Sequence, residues 1–164
     1  MLPSWERLNF GYTYSRHCTR IYCRRRRHKI RNFYAGCQRN CEGCQNPATH
    51  ALDGGKIIDT AEIIAAIKRN PLLAGITLTG GEPLLQIPAA TELAKAVKNL
   101  GLNVWCYTGF VFEEIPDAAQ ELLNFVDVLV DGPFILAQRD LELDFRGSRN
   151  QRIINLNEWR KANG

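Results

Sequence analysis

Hydrophobic and polar positions along this chain switch between two periods, one suited to strands and one to helices. The pattern begins at Phe33. Phe33-Tyr34-Ala35-Gly36 reads as the end of a short strand, and a cysteine-bearing loop follows to about His50. Asp59 and Glu62 have capping-box spacing, so a helix is expected to start near Thr60, with Ile63, Ile64 and Ile67 as its stripe and Pro71 as its stop. Gly75-Ile76-Thr77-Leu78-Thr79 is a buried-type strand stopped by Gly80-Gly81-Glu82-Pro83. Pro88 opens a second helix, Leu93, Val97 and Leu100 line one of its faces, and Gly101 is its stop. Leu102 to Tyr107 is the next strand, closed by Thr108-Gly109. Asp117 to Phe125 reads as a third helix, and Val126 to Val130 as a strand ended by Asp131-Gly132-Pro133. Residues 134–150 look irregular and polar, and Arg152 to Leu156 reads as a last strand.

Strands alternating with short helices imply βαβ units and a parallel sheet, hence an α/β fold. Ligands of such sheets sit beyond the carboxyl ends of the strands. The cysteine loop, the Gly80-Gly81 turn, Thr108-Gly109 and Asp131-Gly132 all follow strands, so they are expected to gather at one rim.

Composition adds boundaries. The 164 residues favour one ordinary domain, and 45% apolar with 23% charged residues suits a globular core. There is no apolar run of membrane-spanning length, no low-complexity tract and no internal repeat, which argues against transmembrane, collagenous, coiled-coil and solenoid classes. The net charge of +4 is unevenly placed. Residues 1–32 carry +8 and residues 33–164 carry −4. The remainder is mildly acidic and does not look like a nucleic-acid surface.

Six cysteines invite a disulfide reading, but Cys37, Cys41 and Cys44 crowd into eight residues, while Cys18, Cys23 and Cys106 are scattered. No secretory signal is readable behind the basic start, and clustered thiols in a reducing compartment bind metal more often than they form bridges. Three thiolates are fewer than the four ligands of a structural zinc site or of a closed iron–sulfur cubane. Three readings stand on the spacing alone: incidental cysteines, a Cys3His zinc site completed by His50 in an RNA-contacting module, and an iron–sulfur cluster with one open iron. Cys106, in mid-strand, reads as a small buried hydrophobe.

Two glycines in Thr79-Gly80-Gly81-Glu82-Pro83 remove side chains where a ligand approaches the backbone, and the Glu82 carboxylate is a partner for a ligand ammonium. Together with the cysteine loop, this turn resembles the radical S-adenosylmethionine (SAM) enzymes. Gly36-Cys37-Gln38-Arg39-Asn40-Cys41-Glu42-Gly43-Cys44-Gln45-Asn46-Pro47 carries the resemblance. Leu78 to Leu84, Val104 to Gly109, Val128 to Phe134 and Arg146 to Arg152 narrow it to the activating proteins of anaerobic ribonucleoside-triphosphate reductase. The resemblance covers about residues 33–156.

It implies a parallel-sheet partial (βα) barrel of the minimal radical SAM type. It also implies a [4Fe-4S] cluster on Cys37, Cys41 and Cys44, with SAM against Gly43, Cys44 and Gln45 and its methionyl amino group at Gly80, Gly81 and Glu82. The implied reaction is reductive cleavage of SAM and hydrogen abstraction from a glycine of the reductase large subunit, with reduced flavodoxin or a similar protein as electron donor, in the cytoplasm. An activase of another glycyl-radical enzyme, of the pyruvate formate-lyase type, is the neighbouring alternative. No general base is needed. His50 is then expected to serve the loop through hydrogen bonds. Asp127 and Asp131 are expected near the rim, as turn caps or as contacts to ribose or partner. Arg146 and Arg152 are expected to grip a carboxylate or anchor the C-terminal loop.

Residues 1–32 depart from the family, which begins with a strand and an Asp-Gly-x-Gly-x-Arg turn. Here stands Cys23-Arg24-Arg25-Arg26-Arg27-His28-Lys29. The expectation is an atypical basic segment over 1–32, non-native or disordered, ahead of a radical SAM domain over 33–164. One sheet edge is then left without its first strand.

Overall fold

The computed structural model describes residues 11–14 and 28–164 of the chain. Strands β1 (Gly11–Tyr14) and β2 (His28–Tyr34) come first, then β3 (Lys56–Asp59), which leads into helix α1 (Thr60–Lys68). β4 (Leu73–Gly80), α2 (Ile87–Asn99), β5 (Asn103–Tyr107), α3 (Gln120–Phe125) and β6 (Val128–Asp131) follow in alternation. β7 (Arg152–Asn155) and α4 (Leu156–Asn163) close the described chain.

These strands form one seven-stranded sheet in the order β3-β1-β2-β4-β5-β6-β7. β2, β4, β5 and β6 are mutually parallel, whereas β7 runs antiparallel to β6, β1 to β2, and β3 to β1. The fold is α/β with a mostly parallel sheet, as the alternation of elements implies.

Local chemistry accounts for the boundaries. The Asp59 carboxylate accepts from Ala61 N at 2.7 Å and caps α1. Pro88 lies in the first turn of α2, where its missing N–H costs nothing. Gly101, at φ +71°, takes the left-handed step that stops α2. Asn155 caps α4 by accepting from Asn157 N and Glu158 N. Along β5 burial alternates strictly: Val104 and Cys106 face the core, while Asn103, Trp105 and Tyr107 face away. Ile76, Leu78, Val104, Cys106 and Leu129 from the strands meet Ile67, Leu93, Val97, Leu122 and Leu123 from the helices in a single core. Burying each of the larger side chains contributes about 1.5–3 kcal/mol. Leu100, expected on the buried face of α2, is 37% exposed because the helix has ended before it.

The expectation of a sheet edge left without its first strand needs correction. A strand is present ahead of Phe33: β2 begins at His28, on the flank of the arginine block, and pairs along its length with β4. Ile30, Asn32 and Tyr34 turn to the core side, with Asn32 and Tyr34 buried, so the period of two exists but is masked by a buried asparagine. β1 and β3 extend the sheet beyond β2, so that edge of β2 is paired. Cys18, Cys23 and most of the basic block lie outside the described residues. Among the described residues no helix is long and apolar enough to cross a membrane.

Candidate functional site

Parallel β2, β4, β5 and β6 bring their carboxyl ends to one rim, and backbone hydrogen bonds sew the loops there together. Gly81 N donates to Tyr34 O at 2.7 Å and Glu82 N to Gly36 O at 2.8 Å, joining the turn after β4 to the start of the cysteine loop. Thr108 N donates to Val130 O, and Gly132 N to Phe110 O. All four turns named from the sequence therefore meet.

The cysteine loop is held at both ends. Gly36 N donates to Thr49 O and Cys37 N to His50 O. Between them the backbone enters the left-handed region at Gly36, Asn40 and Gly43, which lets a short chain wrap. Cys37, Cys41 and Cys44 are free thiols, each partly exposed. Burial pushes the Cys37 thiol up, the Arg39 backbone amide holds it back, the Glu82 carboxylate adds to the rise, and the Asn40 amide opposes it. Asn46 N donates to Cys44 Sγ at 3.3 Å. Amide donors aimed at two of the three sulfurs are what thiolate ligands of a cluster require around them. Among the described residues no three His, Cys, Asp or Glu side chains gather about a point that one metal ion would occupy.

Gly81 has a more particular reason to be glycine than ligand access. A Cβ there would stand 2.3 Å from Gly36 O and 3.0 Å from Thr49 O, so the chain's own backbone fills the space. Glu82, 2% exposed, is equally committed. Its Oε1 accepts from Leu84 N at 3.1 Å and from the Thr108 hydroxyl at 2.9 Å, and its Oε2 accepts from Gly109 N at 2.8 Å. The carboxylate ties the ends of β4 and β5. Burial raises its pKa, and the three donors and the Arg39 charge oppose the rise. Glu82 also lines a cavity of about 270 Å³ with Gln38, Arg39, Leu85 and Phe110.

The chain matches the family model of the 4Fe-4S single cluster domain over residues 27–154. It is 37% identical over 129 residues to the anaerobic ribonucleoside-triphosphate reductase-activating protein of Vibrio cholerae, covering 74% of this chain and 83% of that one. The protein of the same name from Escherichia coli K12 is 32% identical over 136 residues, with coverage of 76% and 86%. That of Enterobacteria phage T4 is 32% identical over 139 residues, with coverage of 80% and 83%. The chain belongs to the family of anaerobic ribonucleoside-triphosphate reductase-activating proteins.

Within this activase family member, residues 134–150 are not a polar bystander. Leu136 packs on the cysteine loop, where a Cβ on Gly43 would meet its Cδ1 at 2.9 Å, and Gly147 lies against Gln45 and Phe134. Gln151 Oε1 accepts from Gly147 N and Ser148 N, its Nε2 donates to Gly132 O, and Asn150 Nδ2 donates to Pro133 O. The segment thus lies over the cysteine loop at the end of β6.

Other expected residues are placed as follows. His50 serves the loop through its backbone, and its Nε2 is buried with no partner among the described residues. Arg152 grips carboxylates, but they are the chain's own: both oxygens of Asp131 and, bidentately, Glu113. Arg146 donates to Gln151 O. Both arginines anchor the C-terminal loop. Asp131 is at the rim, 1% exposed, and is occupied by Arg152 and Phe112 N. Asp127 is not at the rim. It precedes β6 and binds Val104 N at the amino end of β5, Lys98 Nζ and Asn157 Nδ2, a structural tie at the opposite end of the sheet. Cys106 is fully buried, and burial drives its thiol far up, as befits an inert core residue. Arg39, Thr108, Gly109 and Phe110 join the site without having been singled out as ligand groups. An arginine in a loop reads as a solvated charge, and only the fold places Phe110 beneath it.

Proposed function

We propose that this chain is a radical SAM activase that generates a glycyl radical on anaerobic ribonucleoside-triphosphate reductase. The observation that carries the reading is the seating of the three-thiol loop on the rim, bonded to the Gly80-Gly81 turn through Gly81 N and Glu82 N. Cys37, Cys41 and Cys44 are the ligands of the [4Fe-4S] cluster. Gly43, Cys44 and Gln45 lie against SAM, and the turn at Gly80, Gly81 and Glu82 receives its methionyl ammonium. When bound, the cluster supplies the electron for reductive cleavage of SAM, the chemistry that leads to the glycyl radical.

The chain's own residues hold and shield. Amides of Arg39, Asn40 and Asn46 stabilise thiolate sulfur. Glu82 keeps one acceptor site on Oε2 after binding Gly109 N, and its negative charge suits an ammonium. Leu136 covers the loop at Gly43 from the C-terminal side and limits water there. The rim carboxylates Glu82 and Asp131 are tied into hydrogen bonds within the chain.

A single core on one side of β5 supports a sheet that curls as a partial (βα) barrel around the ligand, spanning the domain from about residue 33 to 164. The basic segment over 1–32 precedes it and contributes β1 and most of β2 to its sheet. The electron donor is reduced flavodoxin or a protein like it, and the compartment is the cytoplasm.

Anaerobically reconstituted protein, given a strong reductant and SAM, is expected to release 5′-deoxyadenosine. With the reductase large subunit it is expected to raise a doublet in electron paramagnetic resonance. Protein that binds iron and sulfide but forms neither product overturns the reading.

A further inference from the structure

The cysteine loop has two flanks, and among the described residues the chain roofs them unequally. On the Cys44 flank Leu136 rests on Gly43, within a segment held by the Gln151 and Asn150 side chains. On the Cys37 flank the cover is thin and faces outward. Gly36 precedes Cys37 and has no side chain, and a Cβ there would stand 3.3 Å from Leu52 Cδ2 and 3.9 Å from Leu85 Cδ1. Leu52 is nevertheless 65% exposed and Leu85 41%. Pro47, Ala48 and Ala51, near Leu52 in the chain, are exposed as well. From Gly43 to Leu52 there is no Asp, Glu, Lys or Arg, and the exposed acids Glu42 and Asp53 bracket that run. The platform is also stiff. Pro47 and Pro83 each open a tight turn. Bonds from Gly36 N to Thr49 O, from Cys37 N to His50 O and from Gln86 Nε2 to Ala35 O tie these turns to the end of β2.

An uncharged apolar centre with charges at its margin is the anatomy of a protein–protein contact. Its small extent suits the brief encounters of electron-transfer partners better than a permanent assembly. Resting on the function proposed above, we infer that the platform of Pro47, Ala48, Ala51, Leu52 and Leu85 is the docking surface of the protein electron donor, a flavodoxin-type carrier of one low-potential electron. Position selects the donor over the reductase. The reductase must bring a glycine to SAM, on the side of the loop that faces the Gly80-Gly81 turn. The donor needs only the cluster, and it must reach the cluster while SAM occupies that side. The Cys37 flank supplies the route, because Leu52 stands against the residue next to a cluster ligand. One electron leaves the donor's reduced flavin and one enters the oxidised cluster, and no bond forms or breaks in that step. A rigid surface with no side chain to reorder keeps such a contact cheap to form and quick to release.

The test compares a docked reductant with one that needs no docking. Anaerobically reconstituted protein is titrated with oxidised flavodoxin by calorimetry. It is then mixed with reduced flavodoxin or with dithionite, and cluster reduction is followed by the bleaching of visible absorbance. Leu52→Gln is expected to weaken flavodoxin binding roughly fivefold to tenfold, the loss of one apolar contact near an interface centre. Reduction by subsaturating flavodoxin should slow by a similar factor. Iron content, reduction by dithionite and 5′-deoxyadenosine release under dithionite should not change. Ala48→Arg, at an exposed turn position, should act in the same way. Leu141→Gln removes a more exposed leucine from residues 134–150 and should leave flavodoxin binding as it is. Unchanged binding in both platform variants, or an equal loss in Leu141→Gln, overturns the assignment. So does a loss that falls on the reductase large subunit in place of flavodoxin, and so does loss of iron in both platform variants. A parent that cleaves SAM with dithionite but neither binds flavodoxin nor takes its electron overturns this inference and leaves the activase reading intact. A parent that dithionite reduces without any cleavage of SAM overturns the activase reading and this inference with it.

Discussion

The two ends of the parallel sheet are built on the same device, a buried carboxylate that ties neighbouring strands, and they use it to opposite effect. At the amino end Asp127 binds Val104 N, Asn157 Nδ2 and the Lys98 ammonium at 2.7 Å, so its charge is cancelled where it stands. At the carboxyl end Glu82 binds two amides and a hydroxyl, all neutral, while the nearest cation, Arg39, is held off on Phe110. Position at the rim does not by itself leave a charge open. Asp131 is at the same rim and is closed by Arg152. A carboxylate whose charge is paired supports the fold, whereas one bound only by neutral donors has charge left for a ligand.

The largest effect that would sharpen this contrast is expected from Cys41→Ala. Cys41 is partly exposed on the loop and packs nothing in the core. Its loss should abolish cluster binding and SAM cleavage together, with stability moved by no more than about 0.5 kcal/mol. Iron content, 5′-deoxyadenosine release and a denaturation midpoint report the three quantities. SAM cleavage surviving in the variant would remove the cysteine from the ligand set.

Gly81→Val comes next, and here both function and fold should suffer. The added Cβ would meet backbone oxygen of Gly36 and Thr49, and neither is a flexible group that can step aside. The bonds from Gly81 N to Tyr34 O and from Glu82 N to Gly36 O would break with the shift. A loss of about 3–5 kcal/mol is expected. A denaturation midpoint equal to the parent's would show that the turn has more room than its distances imply.

Much of this arrangement is readable from residues alone. The Asp59 cap, Pro88, Gly101 and the alternation of strands with helices imply the sheet, and a parallel sheet implies a rim. The cysteine spacing and the Gly80-Gly81 turn then mark which loops on that rim carry chemistry. What escapes has physical causes. β2 begins among charged residues because Lys29 lies with Asn103 and Trp105 on the face away from the core and Arg31 is exposed, while the inward position before Tyr34 is Asn32, which no hydropathy pattern reveals. β1, β3 and α4 are short or polar and owe their form to neighbours. Residues 134–150 are ordered by side-chain bonds from Ser148, Asn150 and Gln151, which link distant parts of the loop and leave no period. Glu82 reads as a ligand group because the sequence cannot show that Leu84, Thr108 and Gly109 already occupy it.

Glu82→Gln tests that occupancy. The amide keeps the shape but turns one acceptor into a donor, which must face Gly109 N–H or the pair of donors at the other oxygen. A charge-assisted bond is lost and a buried donor is left unsatisfied, so a cost of about 2–4 kcal/mol is expected. Hydrogen exchange should quicken first at Gly109 and Leu84. If stability is unchanged and only SAM affinity falls, Glu82 is a ligand group and not also a tie.

The smallest effect belongs to the amino end and depends on pH. Burial raises the Asp127 pKa, but the bonds from Lys98, Asn157 and Val104 outweigh it, and the carboxyl titrates below its ordinary 3.8. A depressed folded pKa means that the unfolded chain takes up the proton first as acid is added. The contribution of Asp127 is therefore complete above about pH 4 and fades as pH falls through the lower, folded value. Asp127→Asn is expected to cost about 1–3 kcal/mol near neutrality, since Lys98 loses its partner while remaining partly solvated. The difference in urea midpoint between variant and parent should hold steady down to about pH 5 and narrow below about pH 4. Iron content and SAM affinity near neutrality should not change, because Asp127 lies at the opposite end of the sheet from the cysteine loop. A gap that stays constant into strong acid would show that the ion pair is not what Asp127 contributes. Altered SAM affinity in Asp127→Asn would break the separation of the two ends.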